Sequence, residues 1–312
     1  MTGFILSLEN DFFAQKAQYS ELLGKERSGL MLDKNIAKEI ITSRQNPTVK
    51  RLCALLEKKS RRGERLFRFD GIKLLYEAAT KEIDIELVVV SEAIDEDVFA
   101  RIRALVEYRR LAEERIIYVS EQVFDKISEE SSPEGVITVA HFIDSKHREI
   151  GDVASYRIER TERILLAESL RDPGNLGTVI RTSAALGIDR LIITDDCADL
   201  YNPKTVRAAM GGLFSLKVDV VRRSELPTLI EALKNGGRRI YATALTENAQ
   251  KIGDIALLRG DAFLIGNEGH GLSADAVSAS SGVAIIPMTE GSESLNAAAA
   301  AAICIWETVR AK

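Results

Sequence analysis

From residue 43 onward, short apolar runs alternate with amphipathic stretches, a pattern that predicts layered α/β structure. Asn46-Pro47 signals a helix start, and Val49, Leu52, Leu55 and Leu56 follow at helical spacing with lysines and arginines off the stripe. A short helix follows Asp70-Gly71 as far as Ala79. A buried strand over 85–90, a polar helix over 95–114, strand Ile116–Val119, helix Glu121–Ile127 and a strand over 136–140 complete a small α/β domain ending near Phe142.

A second series begins at Arg163. It predicts strands over 164–167, 191–194, 215–221, 239–244, 262–265 and 283–287, with helices over 176–186, 203–210, 224–234 and 294–309. Near-continuous apolar strands separated by crossover helices imply a parallel sheet buried on both faces. Ligands of such sheets sit outside the carboxyl ends of the strands, where every unusual loop of this chain falls. The expected organisation is an extension of unassigned role over 1–35, a small domain over 36–143, a charged, aperiodic linker over 144–160, and a larger domain over 161–312.

Composition is that of an ordinary globular protein, with 46% hydrophobic and 29% charged residues. Cys53, Cys197 and Cys304 lie far apart, and His141, His147 and His270 form no helical ligand pair. Neither a metal site nor a disulfide framework is expected, which fits a reducing compartment. The first residues carry no basic leader, and the longest apolar run, 297–306, is half a membrane span, so a soluble cytoplasmic protein is expected. The formal net charge of −5 argues against a nucleic-acid partner until its distribution is considered. Ser43 to Lys73 holds ten Lys/Arg against three acids, a local basic face on an otherwise acidic chain. Such a run is either a solvated helix face or a phosphate-binding surface.

Three segments carry candidate chemistry. In the string from Arg171 to Arg181, RDPGNLGTVIR, Pro173-Gly174 makes a turn and Asn175 stands where a helix would begin. Arg181 leans back toward that loop, and a helix N-terminus with an arginine suits an anion. The second string, IGNEGHGLS from Ile265, has three glycines in six residues, which let backbone approach a flat ligand. Its Gly269-x-Gly271-x-x-Ala274 matches a relaxed dinucleotide fingerprint, but too little chain follows for the usual nucleotide-binding half, and the nicotinamide reading is set aside. The third string, IIPMTEGSESLN from Ile285, leads into six alanines, with Ser292 or Ser294 able to cap the helix and Asn296 in its first turn.

Together, RDPGNLGTVIRTSAALG, FLIGNEGHGLS and IIPMTEGSESLNAAAAAAICIWE closely resemble the SpoU (TrmH-like) family of the SPOUT RNA methyltransferases, over roughly 163–312. PKTVRAAMGGLFSLKV resembles the family's connecting helix and strand. The front, from ITSRQNPTVKRL, resembles the small ribosomal-protein-like substrate-binding domain of many members. His270, where a charged residue is frequent, and Asp70, where glutamate is frequent, depart from the pattern. The resemblance implies a C-terminal parallel-sheet domain with a deep trefoil knot, and a homodimer. It also implies methyl transfer from S-adenosylmethionine to a ribose 2′-hydroxyl of structured RNA, ribosomal RNA before tRNA. A non-catalytic RNA-binding factor on the same fold is the alternative. Asn175, Arg181, Glu268, Ser294 and Asn296 fall at catalytic and substrate positions. Gly266, Ile286, Met288 and Leu295 fall around the cofactor. Lys50, Arg51, Lys58, Lys59, Arg61 and Arg62 then become RNA contacts. No metal or membrane partner is implied.

Overall fold

A computed structural model of the chain describes residues 40–108, 110–267, 269–289 and 294–311. The extension over 1–35 lies outside them. The chain divides into two compact units, the first of residues 1–52 and 70–139, the second of 53–69 and 140–312.

The elements run α1 (Pro47–Ala54), α2 (Lys58–Glu64), β1 (Leu66–Asp70), α3 (Ile72–Thr80), β2 (Ile85–Ser91), α4 (Glu96–Glu107), β3 (Ile116–Val119), α5 (Glu121–Ile127) and β4 (Val136–His141). Strands β1 to β4 form a four-stranded sheet in the order β1-β4-β2-β3. In the first unit β2 and β3 pair in parallel, Val88 opposite Ile116, and Leu75, Ala78, Val88, Val89 and Ile102 are buried together in its core. The polar helix expected over 95–114 ends earlier, at Glu107, with Asp95 capping its start through the Asp97 N–H. Two elements were not read from the sequence. Helix α2 is nearly all polar, so it carries no apolar stripe, and β1 (LFRFD) holds a buried Arg68 that breaks its apolar pattern.

The second unit continues with β5 (His147–Glu149), β6 (Ile164–Ala167), α6 (Pro173–Leu186), β7 (Arg190–Thr194), α7 (Pro203–Ala209), β8 (Lys217–Val221), α8 (Leu226–Asn235), β9 (Ile240–Thr243), β10 (Gln250–Lys251), β11 (Ala262–Ile265), α9 (Ala274–Ala279), β12 (Gly282–Ile285) and α10 (Ala297–Arg310). Its eight strands lie in the order β10-β12-β9-β11-β6-β7-β8-β5, every neighbouring pair parallel. Strands β6, β7 and β11 are buried along their whole length, the signature of a sheet covered on both faces.

Residues 144–160, expected to link two domains, are part of this unit. They supply edge strand β5 and place Ile150, Val153 and Tyr156 in the core beside Ile164, Leu166 and Leu229. Their charges explain why they read as a linker. The carboxylate of Asp219, fully buried in β8, accepts from Arg148 Nε (2.9 Å), Arg190 Nη1 (2.8 Å) and the Tyr156 hydroxyl. A carboxylate is tolerated there because three donors compensate its lost hydration. Gly177 sets how closely α6 approaches α7, since a Cβ at that position would lie 2.5 Å from both the Ala208 Cβ and the Thr205 carbonyl oxygen.

His147 shows the same economy of polar groups. Its Nε2 donates to the Leu213 carbonyl (3.0 Å), so Nδ1 is left to accept from the Tyr201 hydroxyl (2.8 Å), which in turn accepts the Ile143 N–H. Burial holds the neutral imidazole and pushes its pKa down to about 4. The unfolded chain, titrating near 6.5, therefore takes up this proton first as pH falls. The stabilisation is complete above about pH 6.5 and is lost toward pH 4, a change of roughly 3 kcal/mol. Urea unfolding at pH 7, 5.5 and 4.5 should show this acid sensitivity in the wild type and a flatter profile in His147→Gln. Parallel profiles would refute the assignment.

Candidate functional site

All strands of the eight-stranded sheet run the same way, so the loops after β6, β11 and β12 emerge at one edge of it. Helix α6 begins one turn earlier than the sequence suggests. Asp172 is its cap, accepting the Asn175 N–H at 2.7 Å, and Pro173 opens the first turn. Asn175 is thus freed from capping, and its Oδ1 accepts a hydrogen bond from Asn296 Nδ2 at 3.0 Å, across 121 residues of sequence. Asn296 is itself the cap of α10, its Oδ1 accepting from the Ala298 and Ala299 N–H groups at 2.9 and 3.3 Å. This corrects the reading of Ser292 or Ser294 as cap: Ser294 is exposed two residues before the Asn296 cap, and Ser292 lies outside the described residues.

The N-termini of two helices are thereby held side by side, and their unsatisfied N–H groups favour negative charge. Arg181 stands exposed on α6, six residues beyond Asn175. Gly212, after α7, lets the chain pass beside it, since a Cβ there would be 3.2 Å from the Arg181 Cα.

The glycine loop is closed on itself by paired backbone hydrogen bonds between Asn267 and Gly271. Gly266 admits no side chain, because its Cβ would fall 2.6 Å from the Gly271 carbonyl carbon, and Gly271 adopts φ +65°. Asn267 organises the turn, accepting from the Gly269 and His270 N–H groups and donating to the Ser169 carbonyl at 2.8 Å. Glu268 lies outside the described residues. Ile286 and Met288 after β12 are half-buried, and Leu295 is 37% exposed, leaving apolar surface open at this edge. Leu245, 68% exposed beyond the end of neighbouring β9, adds to it.

Several residues here escaped the sequence reading. Glu168, the residue after β6, is buried, and its carboxylate accepts the Ser273 N–H (2.9 Å) and the Arg223 Nε (3.0 Å), tying the end of the glycine loop to the turn after β8. Ser169 beside it holds φ +56°, a left-handed conformation that costs a non-glycine residue on the order of 1 kcal/mol. Its hydroxyl donates to Asp196 (2.6 Å) and its N–H to Thr194 Oγ1 (2.8 Å). An acid directly after a buried strand was the available signal for Glu168; nothing local marks Ser169.

Of the expected basic surface, Lys50, Lys58, Lys59 and Arg62 are exposed, and Arg51 pairs with Glu86 at 2.5 Å. Arg61 is different: it is buried, and its guanidinium donates to Asp199 Oδ2 (2.5 and 3.1 Å) and to the carbonyls of Leu55 and Leu56. With its donors spent internally it is a structural residue, not an RNA contact. Arg61→Ala leaves those acceptors without their cation and should cost about 3–5 kcal/mol in denaturant unfolding, whereas exposed Lys59→Ala should stay within about 0.5 kcal/mol. Equal losses would contradict the distinction.

A fully parallel α/β unit whose glycine loop, helix N-termini and open apolar side chains share the carboxyl edge belongs to the class that binds nucleotides there. Residues 162–306 match the SpoU rRNA Methylase family and residues 46–138 the MRM3-like substrate binding domain. The 23S rRNA (guanosine(2553)-2′-O)-methyltransferase RlmP of Bacillus subtilis is 31% identical over 268 residues, covering 85% of this chain and 97% of that one. An AdoMet-bound rRNA methyltransferase from Sinorhizobium meliloti superposes with a TM-score of 0.72 at 27% identity, over 87% of this chain and 97% of that one. The SpoU methyltransferase AviRb from Streptomyces viridochromogenes, in complex with AdoMet, gives a TM-score of 0.70 at 25% identity, over 85% and 98%. The chain belongs to the SpoU rRNA methylase family.

Proposed function

We propose that the protein transfers a methyl group from S-adenosylmethionine to a ribose 2′-hydroxyl of ribosomal RNA. The observation that carries this reading is the Asn175–Asn296 hydrogen bond, which holds the N-terminus of α10 against that of α6, the helix that also bears Arg181. A relative matched over nearly its full length and named as a 23S rRNA 2′-O-methyltransferase supports the substrate class.

The residues present fit the cofactor. Side-chain-free Gly266, half-buried Ile286 and Met288, and partly open Leu295 offer an apolar, closely approachable surface for an adenosyl group. Once bound, the cofactor supplies an electrophilic methyl carbon and a neutral leaving group. The protein must then position the ribose and favour its developing negative oxygen. A guanidinium has five donors and no acceptor, so the part of Arg181 is to orient the RNA phosphate and stabilise the alkoxide, not to act as a conventional base. Asn175 and Asn296 fix the two loops around the ribose, and Ser294 lies exposed one residue from Leu295 to contact it. Glu268, by the family resemblance, completes the loop after β11. Exposed Lys50 and Arg51 of the first unit, and Lys58, Lys59 and Arg62 of the second, supply phosphate contacts.

The reading extends to a trefoil knot and a homodimer. The sheet order supports the first, because β12 returns to lie between β9 and β10. Trp306, 52% exposed on the same helix that Asn296 caps, offers the second an apolar contact. No helix among the described residues is long and apolar enough to cross a membrane, which is consistent with a cytoplasmic enzyme.

Mapping ribose methylation in total RNA from cells with and without the protein tests the activity; identical maps would overturn it. Arg181→Lys should keep cofactor binding by calorimetry yet lose on the order of 100-fold in turnover, since a point charge does not replace a planar fork. Near-complete activity in that variant would remove the guanidinium from the mechanism.

A further inference from the structure

The second unit contains a cavity of about 460 Å³ that the proposed methyl-transfer geometry does not use. Its lining includes Lys58, Arg62, Arg65, Phe142, Glu149 and Asp195, and it opens where β7 and β8 end. The volume suits a single nucleotide-sized ligand.

Its charges are divided. Lys58 and Arg62 stand four residues apart on α2, hence on one helix face, and neither has an ion-pair partner among the described residues. A like-charged pair at that spacing destabilises a helix, so structure alone gives no reason to place both on the cavity. Arg61 between them turns inward to Asp199, which leaves the two exposed cations to the cavity. Across the lining, Glu149 has no cationic partner among the described residues, and Asp195 accepts only the Arg223 N–H there. The third feature is a layered stack. The rings of Tyr201 and Phe142 lie with centroids 3.9 Å apart at 15°, and the Arg65 guanidinium lies 5.2 Å from the Phe142 centroid. Asp144 pairs with that guanidinium, while the Arg65 side chain stays 57% exposed. A guanidinium plane already held on an aromatic ring is a platform on which an unstacked base rests.

We propose that this cavity is an accessory nucleotide subsite of the RNA substrate. It takes a nucleotide neighbouring the one methylated, with the phosphate at Lys58 and Arg62, the base on the Arg65–Phe142–Tyr201 stack, and base amino hydrogens on Glu149 or Asp195. The proposal rests on the methyltransferase reading above.

Position supports it. The cavity and the Asn175 loop share the carboxyl edge of the sheet, and β6 and β8 are two strand spacings apart, roughly 10 Å. The loop that walls the cavity is bonded directly to the segment leading to Asn175. The Leu170 N–H donates to Cys197 Sγ (3.2 Å), the Ala198 N–H to the Leu170 carbonyl (2.9 Å), and Arg171 pairs with Asp196 (3.4 Å). A strand occupying one site therefore passes the other.

Steady-state methylation of an rRNA transcript, comparing wild type with Lys58→Ala/Arg62→Ala and with Arg65→Ala, tests the subsite. Both variants should raise the KM for RNA about tenfold, with the loss in KM and not in kcat at saturating RNA. The double variant should also lower the slope of log affinity against log salt by about two. Acylation of Lys58 by an amine-reactive reagent should be suppressed by the transcript. An unchanged KM and salt slope in both variants, with an active wild type, would overturn the subsite and the phosphate contacts of Lys58 and Arg62 while leaving the methyltransferase reading standing. Competition for Lys58 by inorganic phosphate or a mononucleotide, with the RNA KM unchanged, would mark a small-molecule site and overturn it equally. A wild type that neither binds nor methylates the transcript would overturn the methyltransferase reading itself.

Discussion

Parallel strand direction governs this protein. Eight strands that all run one way deliver eight carboxyl ends to one edge, so segments distant in sequence meet there without any single strand contributing more than a loop. The arrangement works only if those loops are fixed from below, and much of the fixing falls to side chains at strand ends. Glu168 bonds the end of the glycine loop, Asn267 bonds Ser169, and Asn296 bonds Asn175. The first two give part-buried loops a directed partner in place of lost water, and the third joins two helix starts at the exposed edge.

Charge follows the same logic. The basic stretch between Ser43 and Lys73 is not one uniform surface. Arg61 and Arg68 are buried in it, while their neighbours Lys58, Lys59, Arg62 and Arg65 are exposed. Likewise the acidic and basic residues over 144–160 include Arg148, which meets the buried Asp219. A count of charges along a sequence treats these alike; only the fold divides structural cations from those free to meet phosphate.

Much of the architecture was legible from apolar periodicity. Strands Ile116–Val119 and Ala262–Ile265 and helix Glu121–Ile127 appear with the bounds the pattern suggests, because each has both an apolar run and polar punctuation. The elements that escaped lack one or the other. Helix α2 has no apolar face, β5 and β10 are too short to show a period, and β1 carries a buried arginine. In the site, helix starts were misplaced by a few residues because Asp172 and Asn296 compete with nearby Asn175 and Ser294 as caps, and a sequence does not say which oxygen reaches the backbone. The three loop strings were recognisable as strings. Their convergence, and the roles of Glu168 and Ser169, depend on which strands are neighbours.

The two margins of the large sheet have a further consequence. Strand β10 has two residues and β5 three, so neither border presents a long row of unsatisfied amide and carbonyl groups to another polypeptide. Among the described residues, continuation of this sheet from molecule to molecule, the usual route to fibrous aggregation, has almost no template. Self-association through this part of the fold is thereby left to its helical flanks, where side-chain shape, and not generic backbone pairing, selects a partner.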